Sequence, residues 1–238
     1  MMVTIIGRGH SGTRSISHTL SASGVYMGEP LNNSGDLVPP NDMYDACRIF
    51  GQYVSYKGNM EWDFSRVLEM DPDPEFVRLI ERYLHSVLDS KAENQGWKIP
   101  ETTLCYPWII KMFPDIKYIH WVRDPRDCVL GSHVTDDLST FNIPYDHTDN
   151  VYLRRATSWK YQRELMQATP DPKNVIRVRF EDMVFQQDQV LEKVGDYLGV
   201  KLAKIPMRTD SVGRYKTTDE PCMFDFFKED LDECGYEY

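Results

Sequence analysis

The residues of this chain with an evident capacity for chemistry begin near its N-terminus, in the segment GRGHSGTR, residues 7–14. Glycines let a backbone approach an anion closely, and the first amides of a following helix can donate hydrogen bonds to it. Ser11 and Thr13 add hydroxyl donors, and Arg14 adds a positive charge. Because the segment lies between an apolar run and a helical pattern, we predict a phosphate-binding loop rather than a simple tight turn.

This loop differs from the pattern GxxxxGK[ST] that binds nucleoside triphosphates. Gly7 and Gly12 have the required spacing, but Thr13 and Arg14 stand where lysine and a hydroxyl residue should be. The difference argues against an ATPase. A nucleotide or small-molecule kinase of the same fold stays open as an alternative, and it would also need an acidic magnesium ligand at a strand end.

A second candidate is Arg123, which directly follows the apolar run KYIHWV at 117–122. An arginine at the end of a buried strand opens onto the edge where parallel sheets bind ligands. We therefore predict that Arg123 binds an anion, in preference to a purely structural salt bridge with Asp124 or Asp127.

Strands that alternate with helices must position these side chains. Apolar runs predict strands at residues 3–7, 117–122 and 174–180. Helical patterns cover residues 13–23, 76–88, 150–168 and 190–198. The order predicts an α/β fold, a three-layer sandwich around a central parallel sheet with nucleoside-triphosphatase-like topology, in one domain over 1–238.

The chain has a net charge of −10, of which residues 217–238 carry eight acids and one base, a charge of −7. The remainder is at −3, so clustered arginines and lysines can still form a local anion site. The absence of a basic stripe argues against nucleic acid as a partner. For residues 217–238 we predict a packed helix with an acidic face rather than a docking tail, because Met223, Phe226, Phe227 and Leu231 have roughly helical spacing.

Composition favours a soluble protein, with 41% hydrophobic residues and no apolar run near the roughly 20 residues that a membrane span needs. The N-terminus has no signal-peptide pattern. The five cysteines are scattered without a CxxC pair, which predicts free thiols, no metal site and a cytoplasmic location.

Six segments in chain order resemble the sulfotransferase superfamily, and the protein-tyrosine and related bacterial sulfotransferases most of all. GHSGTR is similar to the family's 5′-phosphosulfate loop, commonly PKSGTT or PRSGTT, and IHWVRDPRDCVLGS to the strand, turn and helix that bind the 3′-phosphate. The others are GWKIPE (96–101), VRFEDMV (178–184), SVGRYK (211–216) and the ending CGYEY.

The resemblance implies transfer of a sulfuryl group from 3′-phosphoadenosine 5′-phosphosulfate to a hydroxyl or amine, by in-line displacement without a metal. It assigns the 5′-phosphate to the loop, and the sulfonate and leaving oxygen to His10 and Lys98. It assigns the 3′-phosphate to Arg123 and Ser132. The full set of expected donor contacts is Arg8, Gly9, His10, Ser11, Gly12, Thr13, Arg14, Arg123, Ser132, Phe180, Ser211, Gly213, Arg214 and Lys216.

On the acceptor side, Gly28-Glu29 matches the position of the base in the tyrosine-directed enzymes, so Glu29 is the first candidate and Asp36 and Glu101 are reserves. Residues 30–74 are rich in proline, and we predict that they form an irregular lid over the acceptor. Its expected walls are Tyr44, Tyr53, Tyr56 or Trp62. A small molecule, a carbohydrate or a protein could be the acceptor, and the oligomeric state is open.

Three positions depart from the family pattern. His10 replaces a lysine or arginine, Gly131 takes the usual place of a serine that here follows as Ser132, and Phe180 replaces a tyrosine. A relative that binds the donor without catalysis is therefore a second alternative. The other histidines, His133 among them, have no convergent partners in the sequence and are expected to be structural or exposed.

Overall fold

The computed structural model describes residues 1–237 and contains a four-stranded parallel sheet. The strands of the chain are β1 (Met2–Ile6), β2 (Ser55–Gly58), β3 (Glu61–Asp63), β4 (Gln95–Lys98), β5 (Lys117–Val122) and β6 (Val175–Arg179). The sheet order is β4–β1–β5–β6, and β2 and β3 form a separate antiparallel hairpin. Ile5 pairs with both Lys98 and Ile119, so the carboxyl ends of β4, β1 and β5 meet at one edge.

Helices flank this sheet. They are α1 (Thr13–Ala22), α2 (Asn41–Gly51), α3 (Ser65–Glu69), α4 (Pro74–Tyr83), α5 (His85–Leu88), α6 (Tyr106–Met112), α7 (Pro125–Cys128), α8 (Val151–Ala168), α9 (Phe180–Phe185), α10 (Gln187–Leu198) and α11 (Lys228–Glu233). Short 3₁₀ helices include Pro100–Cys105 after β4 and Val134–Asp136 after α7.

The apolar core is divided between the two faces of the sheet. On one face, residues of α1, α9 and α10 such as Ile16, Met183 and Val194 pack against β1, β5 and β6. On the other face, α2, α4, α6 and α8 pack against Ile6 and Tyr118. This arrangement confirms the predicted α/β fold with helices on both sides of a central parallel sheet.

Residues 30–74 are less irregular than predicted, since α2, the β2–β3 hairpin and α3 lie within them. The prolines flank short elements instead of marking one long loop: Pro40 precedes α2, and Asp73 caps α4 at Pro74. All four expected wall residues, Tyr44, Tyr53, Tyr56 and Trp62, pack with the core cluster of α2, α4 and α6.

The C-terminal segment packs as predicted on α7 and α8, through Phe227 and Leu231. Its helix is shorter than expected and Met223 is 48% exposed. One acid of the segment is buried rather than solvated: Asp230 accepts from Lys160 Nζ at 2.8 Å. Tyr238, the last residue of the predicted segment, lies outside the described residues.

Candidate active site

The glycine-rich loop connects β1 to α1, as predicted. Gly12 caps α1 in the left-handed conformation at φ 85°, and a Cβ there would lie 2.5 Å from the Phe180 ring, so only glycine fits. Within residues 1–237, the amides of Gly12, Thr13 and Arg14 have no hydrogen-bond partner. Free amides at a helix N-terminus are the donors that a phosphate group needs.

The loop is held by its own polar groups. The Ser11 hydroxyl donates to the Arg8 carbonyl at 2.5 Å, and the Gly7 amide donates to the Thr103 hydroxyl at 3.0 Å. Ser11 and Thr13 are buried, whereas Arg14 is exposed and donates to the Ser34 hydroxyl at 3.1 Å. The structure thus gives the Ser11 hydroxyl a role in loop shape that the sequence did not indicate.

Arg8 is held by groups of the protein itself. Its guanidinium is 4% exposed, forms a 2.5 Å ion pair with Asp136 and donates to the Gly9 carbonyl at 2.9 Å. These contacts favour a structural role for Arg8, and the expectation that Arg8 binds the donor stays a prediction. Arg8 joins the loop to the segment after α7, and its charge is already balanced by a buried carboxylate.

Arg123 lies where the phosphate loop, the late loop and β6 meet. It is 6% exposed, and it donates to the carbonyls of His10, at 3.1 Å, and Ser211. Its charge also lies 3.4 Å from Asp127 and 4.5 Å above the Phe180 ring. Arg123 Nε has no partner within residues 1–237. Arg123 therefore forms the salt bridge with Asp127 and still has a free donor, and its binding of an anion stays a prediction.

The late loop 211–216 is anchored on Asp127, which is fully buried. The Asp127 carboxylate accepts from the amides of Gly213, at 2.8 Å, and Tyr215, at 3.1 Å, and its carbonyl accepts from Arg214 at 2.8 Å. The structure thus places Ser211, Gly213 and Arg214 beside Arg123 and Asp127, and their contact with the donor stays a prediction. Asp127 is a positioning residue that sequence reasoning treated only as a possible salt-bridge partner.

Two other expected donor contacts, Ser132 and Lys216, are exposed beside this centre. Phe180 is only 5% exposed, because Gly12, Trp121 and Arg123 surround its ring. The structure therefore assigns Phe180 to support of the loop, and it shows no free ring face for the adenine contact expected of it.

His10 explains the glycine at position 131. A Cβ at Gly131 would lie 2.3 Å from Nδ1 of His10, and the His10 and His133 rings meet edge to face at 6.1 Å. A serine at 131 would collide with the imidazole, so two departures from the family pattern compensate each other. Loss of solvent around the imidazole, together with the nearby Arg8 charge, lowers the pKa of His10.

Lys98, at the end of β4, is 2% exposed and reaches the residues that follow Glu29. Its Nζ donates to Asp36 at 2.5 Å and to the Ser34 carbonyl at 3.0 Å. Burial lowers the pKa of Lys98, and Asp36 opposes that shift by stabilising the ammonium form. The Lys98–Asp36 pair lies next to the phosphate loop, since Lys98 is in register with Ile5 of β1.

Glu101, which is buried, and His133, which is partly buried, form a second pair. Glu101 is 2% exposed at the start of the 3₁₀ helix that follows β4, and its Oε1 lies 3.9 Å from His133 Nε2. Burial raises the pKa of Glu101 to about 7, with a further increase from the Asp36 charge. Burial, followed by the charge of Arg8, lowers the pKa of His133 to about 3. A buried carboxyl that titrates near neutrality is typical of a catalytic acid or base.

The expectation that His133 lacks convergent partners is wrong. Its Nδ1 accepts from the Thr135 amide at 3.3 Å, and its own amide donates to Asp136 at 2.7 Å. The Thr135 amide therefore places the proton of the neutral ring on Nε2, the nitrogen that faces Glu101. No local sequence signal marks His133 as a partner of Glu101, because Glu101 follows a different strand.

Glu29 is not brought to these pairs. It is exposed, its amide donates to the Ser86 hydroxyl at 3.2 Å, and its carboxyl lies beside the Tyr26 hydroxyl. Across residues 1–237, Glu29 has no contact with Lys98 or His10. The two reserve residues, Asp36 and Glu101, are the carboxylates that the structure places beside Lys98. Of the expected wall residues, Tyr44 faces the Glu101 carboxyl.

Among the described residues, no group of three or more His, Cys, Asp or Glu side chains is arranged to hold a metal ion. No helix over 1–237 is long and apolar enough to span a membrane. All five cysteines are free thiols in this part of the chain.

Comparison with known proteins identifies the family. Residues 3–204 match the family model described as the sulfotransferase family, so the chain belongs to this family. It is a sulfotransferase whose co-substrate is the phosphoadenosine phosphosulfate of that family. The kinase alternative is therefore wrong. No curated protein matches the sequence at a significant level.

Solved structures agree on the fold. The sulfotransferase domain of the Synechococcus PCC 7002 olefin synthase aligns with a TM-score of 0.62 at 16% identity, over 100% of this chain and 95% of that one. The sulfotransferase domain from the curacin biosynthetic pathway gives 0.61 at 15% identity, over 99% and 97%. A sulfotransferase from Alicyclobacillus acidocaldarius gives 0.53 at 15% identity, over 99% and 96%.

Proposed function

We propose that the enzyme binds its donor between the amides of Gly12–Arg14 and the guanidinium of Arg123. The free amides suit the 5′-phosphosulfate, and Arg123 with Arg214 suits the 3′-phosphate. Two buried guanidinium nitrogens with no partner within residues 1–237, Arg123 Nε and Arg214 Nε, support the second assignment. Ser132 and Lys216, exposed nearby, complete the proposed contacts.

Arg123 changes partners when the donor binds in this proposal. Its present bond to the Ser211 carbonyl ties the late loop across the site. A phosphate oxygen is a stronger acceptor than a carbonyl for a guanidinium, so it would replace the Ser211 carbonyl there. The loop would stay anchored, because its bonds to Asp127 use other atoms.

Lys98 stabilises the oxygen that leaves with the 5′-phosphate. Its ammonium group lies at the carboxyl edge of β4, next to the loop, where negative charge builds up as the S–O bond breaks. Asp36 keeps Lys98 charged despite its burial, and His10 belongs to the loop itself. Transfer then proceeds in line and needs no metal, because lysine and helix amides balance the developing charge.

Glu101 is the proposed general base, in place of Glu29. The observation that carries this assignment is its burial at 2% exposure, which raises the carboxyl pKa to about 7 beside His133. In the reaction, an acceptor hydroxyl oxygen forms the new S–O bond and its proton passes to Glu101. The donor S–O bond breaks, and 3′,5′-phosphoadenosine leaves. His133, with a proton on Nε2, holds the Glu101 carboxylate or the acceptor oxygen in place.

The acceptor is proposed to be a hydroxyl of a small molecule, a carbohydrate or a protein, bound beneath residues 30–40. This segment already contacts Lys98 through Ser34 and Asp36. Tyr44 is the aromatic residue best placed to contact an acceptor, since it borders Glu101.

Lys98→Ala tests the arrangement directly, with the exposed Lys91→Ala as a control of equal charge change. Transfer from the labelled donor is measured over a panel of phenols, sugars and hydroxyacyl compounds, and 3′,5′-phosphoadenosine binding is measured by calorimetry. We expect turnover to fall at least 100-fold in Lys98→Ala with product affinity within a factor of three, and no change in Lys91→Ala. Full turnover by Lys98→Ala at saturating donor would remove Lys98 from the mechanism. Donor binding without transfer by the unmodified chain, over the whole panel, would instead support the non-catalytic alternative.

A further inference from the structure

A cavity of about 650 Å³ lies under the phosphate loop, between α8 and the strands β5 and β6. The phosphate loop contributes Gly7 and Ser11 to its lining. Helix α8 contributes Trp159 and Gln162, which are 5% and 2% exposed. Lys98, Glu101 and His133 do not line it. The proposed transfer reaction therefore makes no use of the side chains that α8 and β6 contribute to this space.

Several buried polar atoms at the cavity have no partner. Gln162 Nε2 donates to Ser158, at 3.2 Å to its carbonyl and 3.0 Å to its hydroxyl, which leaves Gln162 Oε1 without a partner across residues 1–237. Arg179 Nε, on the β6 side of the cavity, likewise has no hydrogen-bond partner across residues 1–237. Buried polar atoms are nearly always hydrogen-bonded, so an acceptor and a donor left free in one cavity indicate a missing ligand.

The lining is cationic in a chain whose net charge is −10. Its ionised side chains comprise the acids Asp182 and Glu233 and six bases, Arg8, Arg123, Arg163, Arg177, Arg179 and Lys193. Among the bases outside the donor site, Arg163 and Arg177 are already paired with carboxylates. Arg179 instead lies 4.4 Å over the Tyr236 ring, and Lys193 forms no ion pair within the described residues.

We propose that this cavity is a second ligand site, for a small organic anion with an aromatic or aliphatic body. Arg179 and Lys193 bind the anionic group, and Trp159, Met166 and Val178 contact the body. Gln162 Oε1 accepts a hydrogen bond from a hydroxyl or amide of the ligand. The volume suits a compound of this size, since ligand pockets range from about 300 to 1,000 Å³.

The probe for this site is 1-anilinonaphthalene-8-sulfonate, an aromatic sulfonate that fluoresces when it enters an apolar space. It is titrated into the full chain in the presence of saturating 3′,5′-phosphoadenosine, so that the donor site is closed to it. We expect saturable binding of one equivalent. Arg179→Met removes the charge at similar volume, and Met166→Trp fills the cavity from α8. Each should weaken binding about tenfold or more.

Lys173→Met is the matched control, because Lys173 is exposed, lies outside the cavity and carries the same charge. Thermal unfolding without the probe shows which variants fold, and either cavity variant alone suffices for the test. Equal binding by the control and both cavity variants would overturn the proposal, as would the absence of saturable binding. Competitive displacement of the probe by 3′,5′-phosphoadenosine would also overturn it, since the cavity would then be part of the donor site.

Discussion

The Nε2 atom of His133 lies 3.9 Å from Oε1 of Glu101, although the two residues follow different strands of the sheet. The Thr135 amide orients the imidazole, and the 3₁₀ helix after β4 holds the carboxyl. Burial raises the pKa of the Glu101 carboxyl, and partial burial lowers the pKa of the His133 imidazole, which is therefore neutral. This pair and Lys98 are the groups that we propose to carry out catalysis.

Glu101→Gln should lower transfer by about 10²- to 10⁴-fold, because glutamine keeps the shape of the side chain but cannot take a proton. The affinity for 3′,5′-phosphoadenosine should stay unchanged. Glu29→Gln is the control, with transfer within a factor of three of the unmodified enzyme. The measurement is initial rates at saturating donor. The opposite ranking of the two variants would return the base to Glu29.

The same substitution should change stability in a pH-dependent way. The folded pKa of Glu101, about 7, is raised above the ordinary value of 4.5, so the folded state holds its proton more tightly than the unfolded state. The stability due to this proton is complete below pH 4.5 and is lost as the pH rises to about 7. Glu101→Gln should therefore be more stable than the unmodified chain at pH 8, by about 3 kcal/mol, with a smaller difference at pH 5. Urea unfolding at both pH values measures this, and a difference independent of pH would contradict the burial argument.

Arg123→Ala should weaken donor binding by about 1.5–3 kcal/mol, the usual cost of losing a charge-assisted hydrogen bond. Arg78→Ala, which removes an exposed arginine paired with Glu75, is the control and should leave binding unchanged. Calorimetric titration with 3′,5′-phosphoadenosine separates the two variants. Equal affinity in both would mean that the 3′-phosphate lies elsewhere.

Arg8→Met tests the reassignment of Arg8 from donor binding to loop support. Asp136 is 7% exposed. In the variant its remaining ionic partner among the described residues is Arg155, at 3.3 Å instead of the 2.5 Å of Arg8. Breaking one side of a buried ion pair costs about 3–5 kcal/mol. Adding Asp136→Asn removes the uncompensated charge and should recover part of this loss in urea unfolding. Normal stability of Arg8→Met with lost donor binding would restore the original assignment.

Much of this structure follows from local sequence patterns, and the rest depends on long-range contacts. The strands at β1, β5 and β6 and the loop before α1 were predictable, because apolar runs and glycine spacing are local signals. The ion pair of Arg8 could not be predicted, because its partner, Asp136, lies far along the chain. Residues 30–74 were misjudged since prolines that flank short helices resemble those of a long loop. The Glu101–His133 pair had no local signature, and only the parallel order of β4, β1 and β5 brings it together.

Calorimetry of nucleotide binding in the absence of magnesium tests the central claim most directly. Because Arg123 and the late loop are placed for a 3′-phosphate, 3′,5′-phosphoadenosine should bind at least 100-fold more tightly than ADP or ATP, by the strength of charge-assisted contacts. Addition of magnesium should not change this preference. Equal affinity for ATP, or a strict requirement for magnesium, would contradict the proposed donor site.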